Sequence, residues 1–218
     1  MQLEVLSFPD NLLGSSMHVI YDPETRDGLL VDAGCLDAQP IIAGIEKQDI
    51  QISHILLTHE HFDHIWSADD LSSHFGATCI AHKICAASSA DPVRNLSRYT
   101  PHGERTATIH QAPGEKFFQF DWNGRTVSMQ QTPGHSPGSA CFAIDHFLIT
   151  GDTIINNTST VTKLPGGNRL DLAASMLVLC AGISFPVTIL PGHGMPWIAQ
   201  SLGSFRCCLG SKALSLAT

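Results

Sequence analysis

In the first third of the chain, apolar and β-branched residues gather in short runs separated by turn signals, the pattern expected of β-strands. Leu3 to Phe8, Met17 to Tyr21 and Leu29 to Asp32 read as strands, with turns at Asp22-Pro23 and Asp27-Gly28. Gln39 to Lys47 reads as a short helix and Ile52 to Leu57 as another strand. Ser67 with Asp70 three positions on forms a capping-box arrangement and predicts a helix ending at Gly76, followed by a strand over Thr78 to His82. From Ala86 to Gln119 Ser, Asp, Pro and Gly interleave, which predicts loop with some helix. Strands return near Arg125 to Gln131, Ser139 to Ile144 and Phe147 to Thr150, the last two joined by a tight Asp145-His146 turn. Leu172 to Leu190 carries no charge over a span near the minimum for a membrane helix. Gly182 and Pro186 divide it into a helical piece, with Leu172, Met176 and Leu179 at helix spacing, and a strand-like Val187 to Leu190. The sum is a layered α/β fold.

Composition narrows the function classes. A chain of 218 residues without an internal repeat or linker reads as one domain over residues 1–218. With 43% hydrophobic and 15% charged residues it is globular and not disordered. Twenty acidic against twelve basic side chains give a net charge of -8, which predicts no nucleic-acid partner and no membrane surface. Seven cysteines are an odd number without a C-x-x-C pair and read as reduced core thiols, with Cys207 and Cys208 placed in a terminal helix. The acid at Glu4 and the Pro9-Asp10 break do not fit a signal peptide, so the expected location is cytoplasmic. Histidines number twelve, as many as Lys and Arg together. Imidazole is the commonest protein ligand for zinc-like metals, so their placement decides the chemistry.

The strongest signal is Thr58-His59-Glu60-His61-Phe62-Asp63-His64, directly after an apolar strand. In an extended segment His59 and His61 point to one side and can reach one ion, whereas Asp63 and His64, where the chain turns, project to a neighbouring position. Three more segments run strand, Gly or Pro turn, then one potential ligand: Pro133-Gly134-His135, Gly151-Asp152 and Pro191-Gly192-His193. Strand ends of a layered α/β fold are where sites form, so a dinuclear centre is possible. A purely structural role for this set would bury imidazoles and carboxylates at a cost. A metal-bound but catalytically idle module is the other alternative.

T-H-E-H-F-D-H, T-P-G-H-S-P-G-S, G-D-T and P-G-H-G, in that order, resemble the metallo-β-lactamase fold superfamily of hydrolases over nearly the whole chain. The resemblance implies a four-layer αββα sandwich of two sheets with helices outside. It implies two divalent ions, one held by His59, His61 and His135 and the other by Asp63, His64 and His193, with Asp152 bridging. Asp63 and Asp152 would be the catalytic carboxylates, orienting a metal-bridging hydroxide and receiving its proton. Two ions roughly 3.5 to 4 Å apart bring a shared water's pKa near neutrality. Zinc is the default for such ligands, and iron or manganese also suits them.

Pro133 to Ser139 and Leu164 to Asn168 look most like the short bacterial relatives of glyoxalase II, the hydroxyacylglutathione hydrolases. Glyoxalase II proper carries a helical C-terminal domain that helps to hold glutathione, whereas 25 residues follow His193 here. The basic residues of its glutathione pocket have no clear counterpart. The expected activity is therefore cleavage of a small-molecule thioester or other acyl substrate. The rivals are a lactonase or β-lactamase and an iron-dependent persulfide dioxygenase. Arg94, Arg98 and Arg105 are either a solvated loop face or a site for a substrate carboxylate, and Lys163 and Arg169 carry the same two readings. Asp32 either orients a ligand or serves its turn, and His54 is a candidate to support a ligand. His18, His74, His82, His102, His110 and His146 read as surface or strand residues.

Overall fold

Alternation along the strands sorts apolar side chains onto opposite faces of two sheets. The computed structural model describes residues 2–205. The first sheet has the order β1 (Glu4–Phe8), β2 (Met17–Tyr21), β3 (Asp27–Val31), β4 (Gln51–Leu56) and β5 (Thr78–Ile80). The second is laid out as β11 (Trp197–Ala199), β10 (Val187–Pro191), β9 (Phe147–Gly151), β8 (Ala140–Ile144), β7 (Arg125–Gln131) and β6 (Phe117–Trp122). Leu29, Val31 and Leu56 of the first sheet meet Phe142, Ile149 and Leu190 of the second in the core between them. The intervening residues point outward: Leu30 and Ile55 pack with α1 (Gln39–Glu46) and α3 (Ala68–Phe75), whereas Leu148 and Ile189 pack with α5 (Arg169–Gly182). Burial on both faces is why these strands read as nearly continuous apolar runs. The four layers are helix, sheet, sheet and helix.

Strand direction sets the site. β3, β4 and β5 are mutually parallel. In the second sheet β9 and β10 are parallel, and β7 runs the same way because it is two antiparallel steps from β9. The loops after β3, β4, β7, β9 and β10 bring Asp32, the histidine motif, His135, Asp152 and His193 to one edge. Backbone bonds lock the sheets together there, from Ala140 N–H to the Thr58 carbonyl at 2.8 Å and from Ser16 N–H to the Gly192 carbonyl at 2.7 Å.

Several sequence expectations need correction. β6 begins inside the span expected to be loop, and its turn into β7 is the two-residue Asn123-Gly124, both left-handed with φ of 54° and 77°. The alternating Phe118, Phe120 and Trp122 of β6 face the core, a period of two that marks a strand despite the polar neighbourhood. The α4 helix (Lys83–Ser89) forms behind His82, whose ring nitrogen accepts the Ile84 N–H. Ser67 makes no capping bond to α3, because its hydroxyl donates to the Cys35 carbonyl at 2.6 Å, and Asp70 pairs with Arg105. Gly76 does end that helix, with φ of 67°.

Leu172 to Leu190 divides as expected into the 14-residue α5 and β10. Among the described residues no helix is long and apolar enough to cross a membrane. Cys35, Cys79, Cys85 and Cys141 are buried free thiols and Cys180 is partly buried. Cys207 and Cys208 lie outside the described residues.

Candidate metal centre

His59, His61, Asp63 and His64 are buried where β4 ends and the chain turns into the short α2 helix (Phe62–Ile65). His135 follows Pro133-Gly134 after β7, Asp152 follows Gly151 at the end of β9, and His193 follows Gly192 after β10. The structure brings all seven together. His59, His61 and His135 offer ligand atoms within 4.8 Å of one another, and so do Asp63, His64 and His193. Asp152 reaches both groups: its carboxylate lies 3.4 Å from His135 Nε2 and 3.5 Å from the Nε2 atoms of His64 and His193. A close approach by Gly192 makes this possible, since a Cβ there would sit 2.2 Å from Asp152 Oδ1 and 2.8 Å from His64 Cε1.

Hydrogen bonds fix which ring nitrogen of each histidine is free. His64 Nδ1 lies 2.8 Å from Asp32 Oδ2, so it carries the proton and turns the Nε2 lone pair inward. The Thr58 hydroxyl donates to Asp32 Oδ2 at 2.9 Å, leaving its oxygen to accept from His59 Nδ1 at 3.0 Å. His59 Nε2 is thereby also a lone pair. His135 Nδ1 donates to the Val161 carbonyl at 2.9 Å, and its Nε2 faces His61 Nδ1 at 2.9 Å.

His59 Nε2, His64 Nε2 and Asp152 Oδ1 are buried without any hydrogen-bond partner. Unsatisfied buried groups are costly, and a carboxylate oxygen and two ring nitrogens converge on a space that a cation would satisfy, displacing the second proton that the surrounding carboxylates hold on His64. Imidazole and carboxylate donors suit zinc, iron or manganese. The residues present therefore fit divalent metal.

Sequence reasoning left Asp32 between two roles, and the structure gives it the orienting one. Its carboxylate fixes His64 directly and His59 through Thr58, and it also accepts the Thr58 N–H at 2.8 Å. Asp32 adopts φ of 57°, a left-handed turn that Asp tolerates better than most residues. Glu60 went unassigned. In an extended segment it points opposite to His59 and His61, so its burial requires partners elsewhere. Ser136 Oγ and Gly138 N–H donate to it at 2.9 and 3.2 Å, tying the His135 loop to the His59 loop. Of the surface and strand readings of His18 the strand one holds, since it is buried in β2, where its ring bonds the Pro191 carbonyl two residues before His193 at 3.0 Å. His54 supports no ligand and is held by Ser53 and Phe120. The three arginines of the polar segment pair with acids: Arg94 with Asp91, Arg98 with Glu104 and Arg105 with Asp70. That satisfies the surface reading and leaves the carboxylate-binding one without support.

Charge in the metal-free protein is unevenly held. Burial, reinforced by neighbouring imidazoles, pushes His59 far down, and burial with His135 pushes His61 down to about 3. Burial also lowers His18 and His135. Burial opposes the charge on His64 as well, but Asp63, Asp152 and Asp32 outweigh it and hold the ring up at about 10. Groups lowered on folding lose stability as pH falls below their unfolded value, and a raised histidine loses it as pH climbs from that value towards its folded one. With a chelator present, thermal stability should therefore peak near about pH 6.5, the ordinary histidine value, and fall on both sides. Melting temperature against pH checks this. A melting temperature still rising between about pH 7 and 9 would contradict the charge assignment.

The family described as the metallo-beta-lactamase superfamily matches residues 11–194. A probable metallo-hydrolase of Streptococcus pyogenes is 32% identical over 174 residues, covering 76% of this chain and 74% of that one. A hydroxyacylglutathione hydrolase of Haemophilus influenzae is 26% identical over 207 residues, covering 89% of this chain and 91% of that one. The crystal structure of the B3 metallo-beta-lactamase BLEG-1 is similar with a TM-score of 0.81 and 26% identity, over 89% of this chain and 94% of that one. The matched span includes all seven clustered side chains, and the chain belongs to the metallo-beta-lactamase superfamily.

Proposed function

We propose that the protein is a dinuclear metal-dependent hydrolase that cleaves small-molecule thioesters. The observation that carries this reading is the convergence of unpartnered His59 Nε2, His64 Nε2 and Asp152 Oδ1 at the open edge of the sandwich. His59, His61 and His135 would hold one ion and Asp63, His64 and His193 the other, with Asp152 serving both. Zinc is the metal this ligand set favours by default. Bound there, a pair of divalent ions supplies Lewis acidity and a water acidic enough to ionise near neutral pH.

The chain's own residues do the rest. Asp63 and Asp152 accept hydrogen bonds from the attacking water, orient it and take its proton. Asp32 and Thr58 keep His59 and His64 in the tautomers that leave Nε2 free. Water adds to the thioester carbonyl, the C–S bond breaks with its electron pair going to sulfur, and the proton held by the carboxylates passes to that sulfur, so that a carboxylic acid and a thiol leave. No Ser or Cys nucleophile is needed, and the buried thiols are poor ones: burial pushes Cys141 up to about 11 and Cys79 up to about 12.

The thioester is favoured by the H. influenzae relative named as a hydroxyacylglutathione hydrolase and by the better leaving ability of a thiolate. The likeness to a B3 metallo-beta-lactamase supports a second reading, lactam hydrolysis. A panel of acyl-thioesters, lactones, penicillins and cephalosporins on one zinc-loaded preparation separates them. The expected result is a kcat/KM for the best thioester at least about tenfold above that for any lactam, a barrier difference of about 1.4 kcal/mol. Equal efficiency on lactams, or oxygen consumption with a persulfide by an iron-loaded preparation, would remove the thioesterase assignment.

A further inference from the structure

Beside the metal centre lies an apolar cavity of about 580 Å³. Leu12, Leu13, Phe62, Leu96, Tyr99 and Leu164 form most of its wall, and no Lys, Arg, Asp or Glu lines it. Its walls are continuous with the ligands. Phe62 sits between His61 and Asp63, and Leu12 and Leu13 lead into Ser15, which is bridged to His193. Leu164 and Pro165 belong to the loop whose Val161 carbonyl holds His135 Nδ1.

Two details distinguish this cavity from an incidental hollow. Leu13 and Leu96 are left-handed, with φ of 55° and 69°, whereas every other left-handed non-glycine residue described is Asp, Asn or Arg. A left-handed leucine is sterically disfavoured, and strain of this kind persists where the surrounding structure imposes it. Both strained leucines line this one cavity. The rim is also exposed: Leu13 is 70% and Tyr99 69% accessible. A cluster of exposed apolar groups around a concave site marks a ligand surface.

The geometry points to this cavity as the acyl-chain pocket of the site, selecting thioesters of apolar acyl groups over polar ones. This rests on the hydrolase reading above. The acyl side is chosen because biological thiol carriers are polar. Glutathione has two carboxylates and an ammonium, and in this cavity its carboxylates would meet no Lys or Arg, only the His102 ring and the Thr100 hydroxyl against a mostly apolar wall. An alkyl chain would instead exchange water for Phe62, Leu13 and Tyr99.

The test measures binding as well as turnover. Neutral ketone analogues of S-acyl-N-acetylcysteamine, with CH2 replacing the thioester sulfur, are titrated calorimetrically into the zinc-loaded protein as butanoyl, hexanoyl and octanoyl members. Kd should fall about tenfold for each two carbons, near the limit set by full burial of a methylene. The exposed pair Leu13→Asp with Tyr99→Asp, and separately Leu164→Asp, should flatten the series. A flat series in the unaltered protein overturns the proposal. So does an equally steep one in both variants, a steep dependence on the thiol side instead, or tighter binding of S-methylglutathione than of the octanoyl analogue. A steep series without hydrolysis of any corresponding thioester removes the hydrolase reading alone, and hydrolysis with a flat series removes the pocket assignment alone.

Discussion

Asp152→Asn should lower thioester turnover by about a thousandfold, a barrier increase of roughly 4 kcal/mol, with weaker binding of at least one ion. The substitution keeps nearly the same shape but removes the negative charge that reaches His64, His135 and His193. A neutral amide is a poorer ligand and does not offset repulsion between two dications. Turnover and metal content measured on the same preparation test both halves of the expectation. The fold should persist, because Asn keeps the shape of the side chain and β9 is held by its own backbone pairing with β8 and β10. His74→Ala is the control, since His74 is half-exposed and pairs with Glu46 on the surface, away from the cluster. Near wild-type turnover in Asp152→Asn with full metal content would remove Asp152 from between the ions.

Asp32→Ala should weaken both ions about 10- to 100-fold although Asp32 is in neither ligand group. The reason is the branching of its bonds: one carboxylate holds His64 Nδ1, the Thr58 hydroxyl and the Thr58 N–H. Without it the imidazoles lose the partners that select their tautomers, one in each ligand group. The metal-free protein should also lose about 3 kcal/mol, because buried donors are left unsatisfied. Competition with a chromophoric chelator reads the affinities, and urea unfolding reads the stability. A drop confined to the ion held by His64 would show that the path through Thr58 to His59 carries nothing.

The clustered side chains could be read from the sequence because their chemistry is compressed into short strings after strands. His59, His61, Asp63 and His64 lie within six positions, and the glycine turns before His135, Asp152 and His193 mark strand ends. The support beneath them could not be read in the same way. Asp32 and Thr58 are 26 residues apart, and only the parallel pairing of β3 with β4 sets them side by side. Ser67 shows the converse failure. Its local pattern matched a cap, but tertiary structure supplied a better acceptor in the Cys35 carbonyl. Polar composition concealed β6, where Phe118, Phe120 and Trp122 alternate with residues facing away from the core. The apolar cavity draws its walls from four separated segments, so no window of the sequence announces it.

Metal stoichiometry of the purified full chain, by elemental analysis after saturation with zinc and removal of loose ions, tests the central claim most directly. Two ions per chain are expected, because Asp152 lies within 3.5 Å of a ring nitrogen in each of two three-ligand clusters, and the seven side chains exceed the four ligands of an ordinary zinc site. His193→Ala should then reduce the count to one. A ratio that stays at one in the unaltered protein, under saturating zinc, iron or manganese alike, would leave Asp63, His64 and His193 without an ion and contradict the dinuclear account.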